Sequence, residues 1–216
     1  MKLLLMGPPG AGKGSQSERL VKDFELTSIS TGQMFRESHR NEEPLGIEAM
    51  RYIERGELVA DDITNEIVRK RLLKEDAERC FILDGYPRTV SQAKALDDML
   101  AKMRSKLTAV INITVDKKAI LERMVGRRVC KQCGLSYHLA FKPTRQDGIC
   151  DVCGGTLYQR PDDQLESVRN RLEIYESKTQ PLLAYYKGRG ILREVDGMQS
   201  FDAVYQAICA VLKELT

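Results

Sequence analysis

Gly7-Pro8-Pro9-Gly10-Ala11-Gly12-Lys13-Gly14-Ser15 follows directly on the apolar run Leu3-Leu4-Leu5-Met6. A buried strand, a glycine-rich turn and then a helical pattern decide the fold. Backbone N–H groups reach a phosphate only where no side chain blocks the approach, so such a loop needs closely spaced glycines. The helix behind it offers unpaired N–H groups and the positive end of its dipole. Lys13 adds a mobile cation for β- and γ-phosphates. The spacing Gly7-x4-Gly12-Lys13 fits a phosphate-binding loop. Gly14 stands where that pattern has Ser or Thr, and Ser15 comes one place later, which puts in question a hydroxyl bonded to Mg²⁺ from the usual position.

Outward from this stretch, strand and helix patterns alternate. Residues 2–6 read as a strand and 13–22 as a helix. Ile29 sits in a short apolar-polar stretch, and Ser30-Thr31-Gly32 starts a new segment. Residues 31–75 look helical and charged, with Gly46 and Gly56 as interruptions. Cys80-Phe81-Ile82-Leu83 is a second strand ending at Asp84, and 89–102 a helix carrying Val90, Ala93, Leu96 and Leu100. Ala109–Ile113 is a third strand, and 116–125 a helix with Ile120, Leu121, Met124 and Val125 on its apolar side. Periodicity stops over 127–161 and returns with Val168, Leu172 and Tyr175; Ile191, Leu192 and Val195 suggest a last strand, and 200–214 a closing helix. The alternation implies an α/β fold, a parallel sheet with helices on both faces.

The 216 residues suffice for one core with insertions. No apolar run approaches the roughly 20 residues of a membrane span, and the residues before the loop leave no room for a signal peptide, so a cytoplasmic protein is expected. A net charge of +3 is too weak for a nucleic-acid-binding face. The chain holds two histidines, His39 and His138, with no Ser-His-Asp or Cys-His arrangement.

Three further features carry chemistry. Phe81-Ile82-Leu83-Asp84 is a hydrophobic strand ending in a carboxylate, which beside a phosphate-binding loop points to Mg²⁺ held through water. Gly85-Tyr86-Pro87-Arg88 then turns an arginine to the sheet's carboxyl edge, where α/β ligands bind. Arg36, Arg88, Arg123, Arg127, Arg160 and Arg171 fall near sheet-edge or insert positions, and four-residue spacing puts Arg123 and Arg127 on one helical face. Arg51, Arg69 and Arg79 read as solvated charges. Cys130-x2-Cys133-Gly134 and Cys150-x2-Cys153-Gly154 are matching knuckles with the spacing of a four-thiolate zinc site, structural because no ligand position stays open. Two disulfides, an iron site or an unmetallated loop are the alternatives. His138 competes as a ligand, but four cysteines already complete a tetrahedron. The short insert lacks a core of its own, so metal would supply its folding energy. Cys80 and Cys209 read as core residues.

Together these features resemble adenylate kinase in the long bacterial form with a zinc-bearing lid, over essentially the whole chain. The resemblance rests on the phosphate loop, Ser30–Arg36, Gly56-Glu57-Leu58-Val59, Asp84–Arg88 with Gln92, Gly126-Arg127-Arg128-Val129, Arg160-Pro161-Asp162-Asp163, Arg171 and Val195-Asp196-Gly197. It implies the P-loop nucleoside monophosphate kinase fold. Residues 1–29, 60–126 and 164–216 would form the core, 30–59 a mobile AMP-binding helical domain, and 127–163 the lid with Cys130, Cys133, Cys150 and Cys153 on zinc. It implies reversible phosphoryl transfer, MgATP + AMP = 2 ADP, by a cytoplasmic monomer with no nucleic acid or membrane partner. ATP would meet Gly10, Ala11, Gly12, Lys13, Gly14, Ser15, Arg123, Arg127, Ser136, Tyr137 and the backbone of Gln199. AMP would meet Thr31, Arg36, Glu57, Leu58, Val59, Gly85, Tyr86, Pro87, Arg88, Gln92, Arg160 and Arg171. The catalytic set would be Lys13, Arg36, Asp84, Arg88, Arg123, Arg160 and Arg171.

The resemblance has one departure. The family usually has Asp where this chain has Gln33, and that carboxylate helps order water around the metal. A phosphate acceptor is already ionised near neutral pH, so the reaction needs no general base; it needs alignment, cancelled charge and excluded water. The nearest competing activity is a kinase for CMP or UMP, against which Thr31 and Gln92 favour adenine. A nucleotide-gated protein gripping nucleic acid through the zinc module is the reading from another class; Asp147 and Asp151 among Lys131, Lys142 and Arg145 leave it no basic stripe.

Overall fold

The computed structural model describes residues 1–215. The chain runs β1 (Lys2–Met6), α1 (Lys13–Phe24), β2 (Thr27–Ser30), α2 (Thr31–Arg40), α3 (Pro44–Glu54), α4 (Asp61–Leu72), α5 (Glu75–Glu78), β3 (Phe81–Asp84), α6 (Val90–Lys102), β4 (Ala109–Thr114) and α7 (Lys117–Val125). It continues through β5 (Arg127–Cys130), β6 (Ser136–His138), β7 (Leu157–Tyr158), a 3₁₀ turn (Pro161–Asp163), α8 (Leu165–Ile174), a π-helical turn (Tyr175–Thr179), α9 (Pro181–Gly188), β8 (Leu192–Asp196) and α10 (Phe201–Lys213).

Five parallel strands form one sheet in the order β2-β3-β1-β4-β8. Strand side chains alternate between faces, and a parallel sheet is covered on both, so β1 is apolar and buried from Leu3 to Met6. Leu4 and Met6 join one core with Ala93, Leu96 and Leu100 of α6 and Leu182 and Tyr186 of α9. Leu3 and Leu5 join the other with Leu20 of α1 and Val204, Tyr205, Ile208 and Leu212 of α10. Cys80 and Cys209 pack half-buried against this second core. Among the described residues no helix is long and apolar enough to cross a membrane.

The segment 127–158 forms its own antiparallel sheet, β6-β5-β7. The helices between β2 and β3 make a second excursion, with Phe35, Ala49 and Val59 as a small separate core.

Four expectations need correction. Gly46 does not interrupt a helix; it lies inside α3, and the break falls at residues 41–43. A Cβ there would stand 2.1 Å from the His39 nitrogen, so this glycine lets α2 and α3 touch backbone to backbone. Arg123 and Arg127 do not share a helical face, because α7 ends at Val125 and Arg127 opens β5. Val125, expected on the apolar side of α7, is 40% exposed. The strand β2 had shown only as a short stretch around Ile29. At the sheet edge Thr27, Ser28 and Ser30 need no apolar partner, which hid the pattern.

Candidate active site

All five strands point their carboxyl ends at one edge, the crevice where open α/β sheets bind ligands. β1 ends there in the phosphate loop, where Gly7, Gly10 and Gly12 hold positive φ angles. Asp84 closes β3 beside Leu5 of β1 and Ser30 of β2. A side chain on residue 14 would begin 3.9 Å from Asp84 Oδ2. The space that a Ser or Thr would fill is therefore open to the carboxylate.

Lys13 folds back over its loop and donates to the carbonyls of Gly7 (2.7 Å) and Pro8 (2.8 Å). Burial holds its pKa down to about 8; Asp84 works against this, and Arg88, Arg171 and Arg127 add to it. Arg36 on α2 is lowered to about 10 by burial and by Arg160, Arg127 and Arg171, with Asp162 opposing. Arg171 on α8 is lowered to about 10 by burial, with Arg127 and Arg88 adding while Asp162 and Asp163 oppose. Burial likewise lowers Arg88 and Arg160. Arg88 donates its Nε–H to the Gly85 carbonyl at 2.8 Å. The Arg160 Nε is buried without a hydrogen-bond partner.

Two carboxylates that carried no site role in the sequence reading anchor this group. Arg127 grips Asp163 with both arms of its guanidinium, Nε–H reaching Oδ2 at 2.7 Å. Arg171 donates to Asp162 Oδ2 at 2.9 Å and lies 3.5 Å from Asp163 Oδ1. Burial opposes the charge on Asp162, but Arg171, Arg36, Arg127 and Arg160 outweigh it, and its pKa lies below the usual carboxylate range. Asp163 is fully buried, which two adjacent aspartates rarely are unless paired. Their only sequence signal was the Arg-Pro-Asp-Asp run.

Lys13, Arg36, Arg88, Arg127, Arg160 and Arg171 thus face Asp84, Asp162 and Asp163. Six cations against three carboxylates leave an excess of positive charge, much of it buried. Arg123 lies on α7, donating to the Gly197 carbonyl at 3.0 Å.

Beside this group a cleft is lined by Thr31, Arg36, Glu57, Leu58, Val59, Gly85, Arg88, Gln92, Asp162 and Arg171, among others. Thr31 does not cap α2; its hydroxyl donates to the Gly85 carbonyl at 2.9 Å. Gln92 is 2% exposed and is not a polar surface residue. The Tyr86 side chain is wholly buried, its hydroxyl bonded to Asn65 at 2.6 Å, so that residue offers a ligand only backbone. Pro87 is buried beside it. Phe35, Ile53 and Thr64 complete the lining without having been singled out in the sequence.

In the inserted sheet, the sulfurs of Cys130, Cys133, Cys150 and Cys153 all lie within 4.8 Å of one another. Cys130 and Cys153 sulfurs stand 3.4 Å apart, and those of Cys133 and Cys150 3.6 Å. A tetrahedron with zinc–sulfur bonds of about 2.3 Å has edges of about 3.8 Å, so the four fit that ion. All four are free thiols rather than disulfides. Gly134 and Gly154, both at positive φ, turn each knuckle so that its N–H bonds back to Cys130 or Cys150. His138 is spent elsewhere: Nδ1 accepts from the N–H groups of Ala140 and Phe141, and Nε2 faces the Glu122 carbonyl. Tyr137 turns its ring into this insert, and its hydroxyl sits 3.3 Å from the Cys150 sulfur. Ser136 lies half-buried on β6, while Gln199 is exposed beyond β8 with its amide 3.4 Å from Asp196.

The family model described as adenylate kinase matches residues 5–191, from the first strand past α9. The chain belongs to the adenylate kinase family. It is 51% identical over 214 residues to an adenylate kinase of Carboxydothermus hydrogenoformans, covering 99% of this chain and all of that protein. It is 50% identical over 212 residues to one from Geobacillus sp. strain WCH70, covering 98% of each. It is 53% identical over 205 residues to one from Bacillus subtilis strain 168, covering 95% of this chain and 94% of that protein. The protein is accordingly a nucleoside monophosphate kinase that transfers a phosphoryl group reversibly between MgATP and AMP. ATP, AMP and ADP are its substrates, and adenylate kinases use Mg²⁺ with ATP. The parallel sheet flanked by helices is that of the P-loop kinases of this class.

Proposed function

We propose that the arginine cluster joins two nucleotide subsites, one over the phosphate loop for MgATP and one in the cleft beside α2 and α6 for AMP. The supporting observation is the excess of buried cations. Six positive groups held against three carboxylates, with Lys13, Arg36 and Arg171 pushed down to about 8, 10 and 10, are costly unless polyanions join them.

On this reading, loop residues 10–15 wrap the ATP phosphates with backbone N–H groups. Lys13 leaves the Gly7 and Pro8 carbonyls to meet the transferring group, joined there by Arg123. Arg36, Arg88 and Arg171 hold the AMP phosphate, and Arg160 turns its unpartnered Nε toward the same anions. Thr31, Gln92 and the backbone of residues 57–59 and 85–88 define the AMP site. Arg127, Ser136, Tyr137 and the Gln199 backbone border the ATP side. Mg²⁺ bound with ATP supplies charge neutralisation between the phosphates, and Asp84 orients its water shell. Residues 127–163 act as a lid and 30–59 as an AMP-binding unit over a core of 1–29, 60–126 and 164–216. Their closure excludes water that would otherwise hydrolyse ATP.

The four-cysteine site holds a structural zinc ion, and the protein works as a cytoplasmic monomer without nucleic-acid partners; its six free thiols suit a reducing compartment. A substrate panel tests the assignment: AMP should be strongly preferred over CMP and UMP. Equilibrium dialysis with non-transferable analogues should find two nucleotides per chain. A single site at saturation overturns the two-subsite reading.

A further inference from the structure

Gln92 lines the cleft with its amide held at both ends. The Arg88 backbone N–H donates to Gln92 Oε1 at 2.7 Å. Gln92 Nε2 in turn donates to Asp61 Oδ1 at 2.7 Å. Both partners work in one direction only: a backbone N–H cannot accept, and a carboxylate cannot donate. Chemistry therefore decides which end of the amide is oxygen and which nitrogen. Asp61 is anchored in turn. Its Oδ2 accepts from the Thr89 hydroxyl at 2.9 Å, and that hydroxyl accepts from the Gln92 backbone N–H at 3.1 Å. A closed ring of hydrogen bonds thus ties the first turn of α4 to the first turn of α6.

With these bonds made, Gln92 keeps one lone pair on Oε1 and one hydrogen on Nε2. That acceptor–donor pair matches a 6-aminopurine, which offers an amino donor beside an N1 acceptor. A 6-oxopurine offers the reverse, an oxygen acceptor beside an N1–H donor. A flipped amide would suit the second base. Flipping would also set Nε2 against the Arg88 N–H and Oε1 against the Asp61 carboxylate, two repulsive contacts in a buried place.

We propose that Asp61 is a specificity-determining positioning residue, locking the Gln92 amide in the orientation that admits AMP and rejects 6-oxopurine monophosphates. The inference rests on the reading of Gln92 as a contact to the AMP base. IMP is the sharpest probe, because it differs from AMP only in this hydrogen-bonding edge.

The experiment compares kcat/KM for AMP and IMP in the wild type, Asp61→Asn, Gln92→Ala and the double variant. Asp61→Asn removes the one-way acceptor, so the AMP-to-IMP ratio should fall at least about tenfold. The loss should appear in the nucleoside monophosphate KM, with the MgATP KM unchanged, which a general loss of structure would not produce. In the Gln92→Ala background the same substitution should move the ratio no further. Thr89→Val, a milder change that frees one Asp61 oxygen, should lower the ratio in the same direction by a smaller factor. If Gln92→Ala collapses the ratio while Asp61→Asn and Thr89→Val leave it at the wild-type value, the role of Asp61 is overturned. If Gln92→Ala itself leaves the ratio unchanged, the base contact is refuted and the inference falls with it.

Discussion

Raising the pH from 7 to 9.5 should weaken MgATP binding steeply while leaving AMP binding nearly flat. The lever is Lys13, whose pKa in the ligand-free protein is held down to about 8 by burial, reinforced by Arg88, Arg171 and Arg127. A bound triphosphate stabilises the ammonium and raises that pKa. Binding therefore takes up a proton at any pH between the two values. With a free-state pKa of about 8, roughly one molecule in ten carries the charged lysine at pH 9. The Kd for MgATP should then rise about tenfold between pH 7 and 9, and about thirtyfold by pH 9.5. Arg36 and Arg171, lowered only to about 10, remain charged over most of that range, so AMP affinity should change by less than about twofold up to pH 9.

Calorimetry without AMP, in two buffers of different ionisation enthalpy, measures both quantities. It should give close to one proton taken up per MgATP at pH 9. A Kd that stays constant from pH 7 to 9.5, or binding without proton uptake, would refute the reasoning. The same group sets a sign for stability. Its folded pKa lies below its unfolded value of 10.5, so the penalty for burying the ammonium is fully present below pH 8 and fades as pH rises to 10.5. The Lys13 contribution to ligand-free stability should improve by about 3 kcal/mol across that window.

Gly46→Ala should destabilise the protein by about 2–3 kcal/mol in urea unfolding, because the new methyl group would meet the backbone of Ser38 and His39 at 2.1–2.7 Å. Unchanged stability would show that α2 and α3 separate freely. Cys153→Ser, or removal of metal by a chelator, should abolish hydrogen-exchange protection in residues 127–158 before the core is affected; intact protection there would count against a metal-dependent insert. Gln33→Asp restores the carboxylate usual in the family, on an exposed position of α2. It should lower the Mg²⁺ concentration needed for half-maximal activity, and an unmoved Mg²⁺ titration would remove Gln33 from any metal-ordering role.

Legibility in the sequence followed burial and spacing. The β1, β3 and β4 runs are apolar on both faces, so they read as strands without help. The polar edge strand β2 lacked that signal, as did the short strands of the insert. The cysteine knuckles were legible because metal geometry constrains spacing along the chain. Arg123 and Arg127 misled for the opposite reason: four-residue spacing implies a shared face only while the helix continues, and α7 stops between them. Asp162 and Asp163 received no site role from the sequence beyond their place in the Arg-Pro-Asp-Asp run, because their buried partners lie 8 to 36 residues away along the chain.

Local chemistry written along the chain was enough to determine the glycine-rich loop after β1, the parallel α/β architecture and the pairing of the two cysteine knuckles into one cluster. Each depends on neighbours a few residues apart or on a strand's own apolar run. Only the tertiary structure decided which arginines meet, which carboxylates balance them, and how Asp61 and the Arg88 backbone orient Gln92. Those arrangements arise where separate helices converge over one sheet edge. Charges far apart in sequence acquire their pKa values and pairings from distances and burial that exist only once the chain has folded.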